Sequence, residues 1–459
     1  MRVLEIVLLS LYLIVVTLIG VFSRHSKDDE DFVIGSRNIG RLGTTMTLFG
    51  TLVTESVIFF AVILTAVYGP IGAMAGVVGP SLALLTLSFV AARAHADGAK
   101  NRYICISEYC RQRWGPVSGR LARFTLLMLM AWVIVLQINL NGKLLVGITG
   151  WTPVESTLLT VGVVLFYLMV GGYKADVRTD VFRGIVVGAV LLLPLVISPR
   201  PDLGAVLDAR FFSVDVFLIF ITSFALTITR PEMWQRVYSA ASGRKAAQSM
   251  LIVALLYFCF GCFVIYYAIA ILQAVPELTP DQAFAVGYRR VLPPFFQSLF
   301  PVLLLAAMMS SLDSATFLLS ADLASLGRRM KRRRVRWSRI FIVVILLGSG
   351  LVSLTIFDSL AFAYKLNGIV ALFAVPLLMS FWVSIPGALL GASLGAGLAT
   401  YLGLLWSGRL DRNPVEAIIA ALVSGAILLI GYCVKRYLLP RRWFGPIFED
   451  VTTGEKREL

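Results

Sequence analysis

Charge is scarce in this chain, and so are the side chains from which most active sites are built. Only 15% of its 459 residues are Asp, Glu, Lys or Arg, against 58% hydrophobic, and mean hydropathy is +0.85. A chain so poor in charge reads as a polytopic membrane protein rather than a soluble domain. The two histidines, His25 and His95, fall in segments read as loops. No metalloenzyme cluster can be assembled from them and no nucleophile–base pairing is evident, so an enzyme is not expected. The five cysteines are scattered. Cys259 and Cys262 form a C-x-x-C, but inside the apolar run LLYFCFGCFVIYY, where helix packing is the expected role rather than redox or zinc chemistry.

What the chain does have is long apolar runs. Hydropathy predicts about thirteen membrane spans, at 3–22, 42–68, 71–92, 121–145, 155–171, 181–198, 213–229, 249–273, 297–325, 340–357, 359–382, 384–406 and 414–434. The first lacks an A-x-A cleavage site and reads as a retained span rather than a signal peptide. With the N-terminus placed outside, 32 of the 41 Lys and Arg fall on the inner side. That bias predicts a multi-pass protein with a cytoplasmic C-terminus, in a plasma membrane of the bacterial inner-membrane kind. It also accounts for the formal net charge of +15, so no nucleic-acid partner is expected. The bilayer itself is the expected surrounding, and no obligate protein partner is evident. The segment ICISEYCRQRWG reads as a short amphipathic helix on the inner surface.

Polar residues interrupt several spans. In Leu299–Ser325, Ala307, Ser310, Ser311 and Ser314 share one arc of the helix, with Asp313 at its edge. A carboxylate at bilayer depth costs a few kcal/mol or more, which makes Asp313 a functional hypothesis with a partner to be found. The second span carries Gly50, Thr51, Thr54, Glu55 and Ser56. Such residues either form a small-residue packing seam or weaken the helix into a discontinuous one whose exposed carbonyls can bind a cation. Gln137 and Asn141, one turn apart, either line a substrate cavity or bond to neighbouring helices. Asp176, Arg178, Asp180 and Arg183 crowd the end of the sixth span as mostly interfacial charge, Asp180 being the deepest. The seventh carries Thr222, Ser223, Thr227 and Thr229, and stops at Pro231. Lys365 and Asn367 lie within the eleventh. Lys365 either snorkels outward or neutralises Glu55, Asp313 or an anionic substrate. Buried polar groups on five spans argue for a hydrated pathway.

Four stretches resemble the sodium:solute symporter family, which includes bacterial proline, sialic acid and galactose carriers. DFVIGSRNIGRLGTTMTLFGTLVTES is similar to its "D-[YF]-x-x-G-x-R" loop and first core helix, and GGYKADVRTDVFRGIVV to "GG-x-x-A-V-x-x-T-D-x-x-Q". RPEMWQRVYSAASGRKAAQS is similar to its "Q-R" loop, and LLLAAMMSSLDSATFLLSADL to "A-A-x-M-S-[ST]-x-x-S". Together they cover about residues 31–325 in the family's order.

The resemblance implies an all-α membrane protein with the five-plus-five inverted repeat of the leucine-transporter type. A peripheral first helix and loop would occupy 1–41 and the core 42–382, with repeats at about 42–198 and 213–382. Two peripheral helices would follow at 383–437, and a cytoplasmic tail at 438–459. It implies a sodium site of backbone carbonyls at Gly50, Val53 and Ala307 and hydroxyls of Ser310 and Ser311. A second cation or proton site would use Asp180, Asp313 and Ser314, with Asp313 standing where the family has a hydroxyl. Candidates for the substrate cavity or gate are Thr54, Glu55, Gln137, Asn141, Thr227 and Lys365, with Glu55 and Lys365 either pairing or contacting substrate. The implied activity is sodium-coupled uptake of a small polar organic solute by alternating access, sodium being co-transported. A proton-coupled carrier of the same fold is the alternative, and a transporter-like sensor a more distant one.

Overall fold

A computed structural model describes residues 3–22, 29–188, 196–203, 213–327, 330, 333–356, 358–383, 385–412 and 414–435. In chain order its α-helices are α1 Val3–Phe22, α2 Asp29–Ile34, α3 Arg41–Leu52, α4 Glu55–Asn101, α5 Ile106–Trp114, α6 Pro116–Thr149 and α7 Pro153–Gly188. They continue with α8 Val214–Thr229, α9 Pro231–Ser239, α10 Gly243–Ala274, α11 Pro280–Val286, α12 Tyr288–Val291 and α13 Pro294–Leu323. The last are α14 Arg334–Ser353, α15 Ser359–Trp382, α16 Gly387–Trp406, α17 Arg409–Arg412 and α18 Ile418–Cys433. Among the described residues seven helices are long and apolar enough to cross a membrane, or eight if the bent pair α8–α9 is one span, and three shorter apolar helices accompany them.

Apolar faces sort by period. On α1, Leu4, Val7, Leu11, Ile14 and Leu18 are exposed while Tyr12 and Val16 are buried. This spacing of three and four turns one stripe outward, toward lipid, and the other onto the protein. α13 runs almost wholly buried through the middle, so its polar arc faces other helices.

The predicted break in the second span is present. The α3 ladder ends where Val53 N–H bonds Phe49 O at 2.8 Å, and Val53 and Thr54 are both extended. Both are β-branched, which favours that conformation. A second break separates α8 from α9, with a 42° bend at Arg230. Pro231 causes it, because the residue before proline is pushed out of the α region; Arg230 has ψ 115°. Ile39 N–H bonds Ser239 O and Ala241 N–H bonds Ile39 O, joining the start of α3 to the end of α9. Gly69, at φ +72° just before Pro70, separates the second and third spans within α4.

Three sequence expectations change. Residues 172–180, read as a loop between the fifth and sixth spans, are helical within α7, with Asp176 and Asp180 paired to Arg236 inside the protein. His95 lies in α4 and bonds Ala240 O at 2.8 Å; His25 lies outside the described residues. The amphipathic α5 forms as expected, but Tyr109, Cys110 and Trp114 bury its apolar face against the protein. Tyr109 stacks on Phe381 with ring centroids 4.5 Å apart. The tail 438–459 lies outside the described residues.

Candidate functional site

The break after α3 leaves its last carbonyls without helical partners, as any helix end does. One is met from α13: Ser311 Oγ donates to Thr51 O at 3.2 Å. Gly50 is packed so closely that a Cβ there would lie 3.0 Å from Ser310 Oγ and 3.6 Å from Asp180 O. Three helices therefore meet at Gly50, with α3 supplying carbonyls, α13 hydroxyls and α7 a carboxylate. Val53 and Ala307 are buried on the same two segments, Ala307 one turn before Ser311.

Asp180 sits at the centre of this meeting point. Ser310 Oγ donates to its Oδ1 and Thr47 Oγ1 to its Oδ2, both at 2.5 Å, and Arg236 Nη2 lies 3.1 Å from Oδ2. Arg236 also donates to Asp176 at 2.8 Å and to Ser314 Oγ at 2.6 Å. Its guanidinium lies over the Tyr173 ring, 5.0 Å from the centroid. Asp313 has its partner in Arg183, which donates to it directly. Arg183 also stands 3.8 Å from Asp180 and donates to Tyr12 Oη at 3.2 Å. Asp176, Asp180, Asp313, Arg183 and Arg236 are all buried. Three carboxylates against two guanidinium groups leave a formal charge of −1 in a site closed to water. Such an excess calls for a cation or a proton, because burying an uncompensated charge is expensive.

Sequence alone does not assign this arginine pair. The Lys and Arg bias places Arg183 and Arg236 on the inner face, and Asp176 reads as interfacial. The signal was there: Arg236 is the arginine of the Q-R stretch, and Arg183 stands where the family's T-D-x-x-Q pattern has Gln. Only tertiary packing, which brings α1, α3, α7, α9 and α13 together, could assign their partners.

The other candidates divide. Thr54, Gln137 and Thr227 line one cavity of about 190 Å³ between α4, α6, α8 and α10, together with Arg230 at the second break. Asn141 does not line it; its amide donates to Gln137 O at 2.6 Å and the residue borders a separate small void. Thr222, Thr227 and Thr229 return their hydroxyls to carbonyls one turn back, a bonding habit of helix threonines. Lys365 lies in α15, where its carbonyl accepts from Tyr401 Oη at 3.1 Å. Glu55 opens α4, and its side chain lies outside what is described.

No family model matches the chain. It is 24% identical to the sodium/pantothenate symporter of Escherichia coli (strain K12), over 93% of this chain and 96% of that protein. Among solved structures, a Na+-coupled sialic acid symporter in a substrate-bound outward-open state superposes with a TM-score of 0.74 at 16% identity, covering 93% of this chain and 97% of the other. The nucleobase-cation-symport-1 transporter Mhp1, closed around bromovinylhydantoin, gives 0.58 at 16% identity over 90% and 96%. MhsT with L-phenylalanine gives 0.53 at 16% over 85% and 98%. The chain is thus a multi-pass membrane protein of the leucine-transporter-type fold, and its resemblance to the sodium:solute symporter family extends over nearly its whole length.

Proposed function

We propose that this chain is a secondary active transporter that couples inward sodium movement to uptake of a small polar organic solute by alternating access. The observation that carries the reading is the meeting of Gly50, Ser310, Ser311 and Asp180 across the first helix break. A hard monovalent cation is held by oxygens, mostly neutral ones, so that it can also be released. In this proposal the carbonyls of Gly50, Val53 and Ala307 and the hydroxyls of Ser310 and Ser311 hold sodium as cargo. Asp180 offsets its charge through the bond to Ser310. The homologue and the sialic acid neighbour, both named as sodium-coupled symporters, support sodium as the coupled ion. The driving force would be the membrane potential, worth about 2.3 kcal/mol per charge per 100 mV, together with the sodium gradient.

The proposed core runs from 42 to 382, with repeats at about 42–198 and 213–382 whose broken first helices are α3–α4 and α8–α9. The helices at 1–41 and 383–437 are peripheral, and the termini are placed as the lysine and arginine bias directs. Asp180, Asp313 and Ser314 remain the proposed second cation or proton position. Each is bonded to Arg183 or Arg236. Tethered guanidinium groups therefore already supply positive charge there, and we expect one transported cation per cycle. The formal −1 of the cluster also suits a proton, which makes proton coupling the second reading. Glu55 and Lys365 are proposed as a gate pair or as separate substrate contacts. Unaltered substrate affinity in both Glu55→Gln and Lys365→Met would remove them from either role.

The deciding experiment is binding of radiolabelled sodium to the purified protein, with melting temperature in sodium chloride against potassium chloride. Saturable binding and a sodium-specific rise in melting temperature are expected, both lost in Ser310→Ala/Ser311→Ala. Stability that follows pH and ignores sodium would favour the proton instead.

A further inference from the structure

We propose that Arg230 is the anchor for a carboxylate on the transported solute, which makes the cargo an organic anion. The inference rests on reading the cavity between α4, α6, α8 and α10 as the solute site. Arg230 is the one charged side chain among the described residues that line it. Pro231 fixes its position by forcing the break between α8 and α9, so the arginine stands on a rigid corner.

The hydrogen bonds of Arg230 point to an absent partner. Its Nε and Nη2 are both buried and bond to nothing among the described residues. These two nitrogens form one edge of the guanidinium, the pair of parallel N–H groups that a carboxylate grips with both oxygens. The Glu232 carboxylate is a counter-ion but not that partner: its Oε2 lies 3.9 Å from Nε and is itself unbonded. Arg123, Arg183 and Arg236 each leave a single buried nitrogen unmet, whereas Arg230 alone among the described residues leaves two adjacent ones. Two adjacent unmet donors on a cation at the edge of a cavity are costly unless a ligand fills them.

The rest of the cavity fits the same class of molecule. Leu52, Val57, Phe60, Leu64 and Leu136 line it, so an apolar body packs there while Thr54, Gln137 and Thr227 bond a hydroxyl or amide. A carboxylate entering with one sodium adds no net charge to the membrane interior.

The test is a thermal-shift and binding series on the purified full chain in sodium chloride. Acetate, benzoate and pantothenate are each set against the neutral counterpart: acetamide, benzamide and panthenol. At least one acid should stabilise the protein while its neutral partner does not. Arg230→Gln should weaken that acid by about 30-fold or more, and Arg230→Lys, which keeps the charge without the fork, should recover part of it. Each variant's melting temperature in sodium against potassium, without any acid, serves as the control. A retained sodium shift shows that the variant is folded and that the cation reading stands by itself. Response to none of the acids, equal response to acid and neutral partner, or wild-type acid affinity in Arg230→Gln would overturn the proposal.

Discussion

Asp180 is the residue on which the cation reading turns. It receives two hydroxyls and one guanidinium, and it lies beside the glycine where α3 comes closest to α13. Asp180→Asn removes the excess negative charge of the cluster while keeping its shape. We expect the sodium concentration for half-maximal uptake to rise about tenfold or more, since a bond to a charged group contributes about 1.5–3 kcal/mol. Ser311→Ala alone should raise it less, by about fivefold, because a neutral bond contributes about 1 kcal/mol. Sodium dependence of uptake in proteoliposomes checks both, and a hyperbolic sodium dependence for the wild type would fit one cation per cycle. Asp313 illustrates the limit of reading one residue at a time. Its depth in an apolar span marks it as needing a partner, but nothing local in the chain names Arg183, 130 positions away.

At the scale of elements, close helix approaches decide what each span tolerates. α4 and α8 touch at Gly79, where an added Cβ would lie 2.2 Å from Ser223 Oγ and 2.8 Å from the backbone oxygen of Phe220. The backbone cannot yield cheaply there, so Gly79→Ala should destabilise by about 1–3 kcal/mol. Gly162, in the middle of α7, has nothing within 4 Å of an added Cβ. Gly162→Ala should be neutral or stabilising by up to about 1 kcal/mol. Melting temperatures of the two variants in detergent, each in sodium, test the contrast. The two helix breaks behave differently from each other as signals. Pro231 announces the second by itself, whereas the first comes from a run of small and β-branched residues that becomes a break only with α7 and α13 packed against it.

For the whole molecule the question is which side is closed. On the side assigned to the cytoplasm, Arg123 of α6 donates to both the Asp322 carboxylate and the Ser325 hydroxyl at the end of α13. Ser107 of the α5 segment bonds Asp322 at 3.0 Å. Trp234 stacks on Phe381 with centroids 4.9 Å apart. These contacts tie α5, α6, α9, α13 and α15 together across that face. Cys105 is a native reporter of the closure: its thiol contacts Ser107 Oγ at 2.8 Å, and burial, with the nearby charges of Asp322 and Glu108, pushes its pKa well above the usual thiol value. Cys105 should therefore resist alkylation at neutral pH, while exposed Cys433 reacts. Arg123→Ala leaves Asp322 buried without its cation, a loss of about 3–5 kcal/mol to the closed arrangement. Faster labelling of Cys105 in that variant is the expected result; an unchanged rate would show that the Arg123–Asp322 pair does not hold this face shut.

The chain alone determined what its local chemistry controls. The stop at Pro231 follows from proline chemistry, the polar arc of α13 from helical period, and the site helices from motifs that survive as contiguous strings. Tertiary structure decided everything that depends on which buried charge meets which. Arg183 and Arg236 read as interfacial because a lysine or arginine near a span end most often stays in water. They are buried because carboxylates from α7 and α13 reach them, and an ion pair becomes tolerable at depth only when both members arrive together. Arg230 likewise takes its place at the cavity from packing, since nothing local in the chain sets it apart from other inner-side arginines. Partner choice in a low dielectric is a property of packed helices, and one-dimensional order does not contain it.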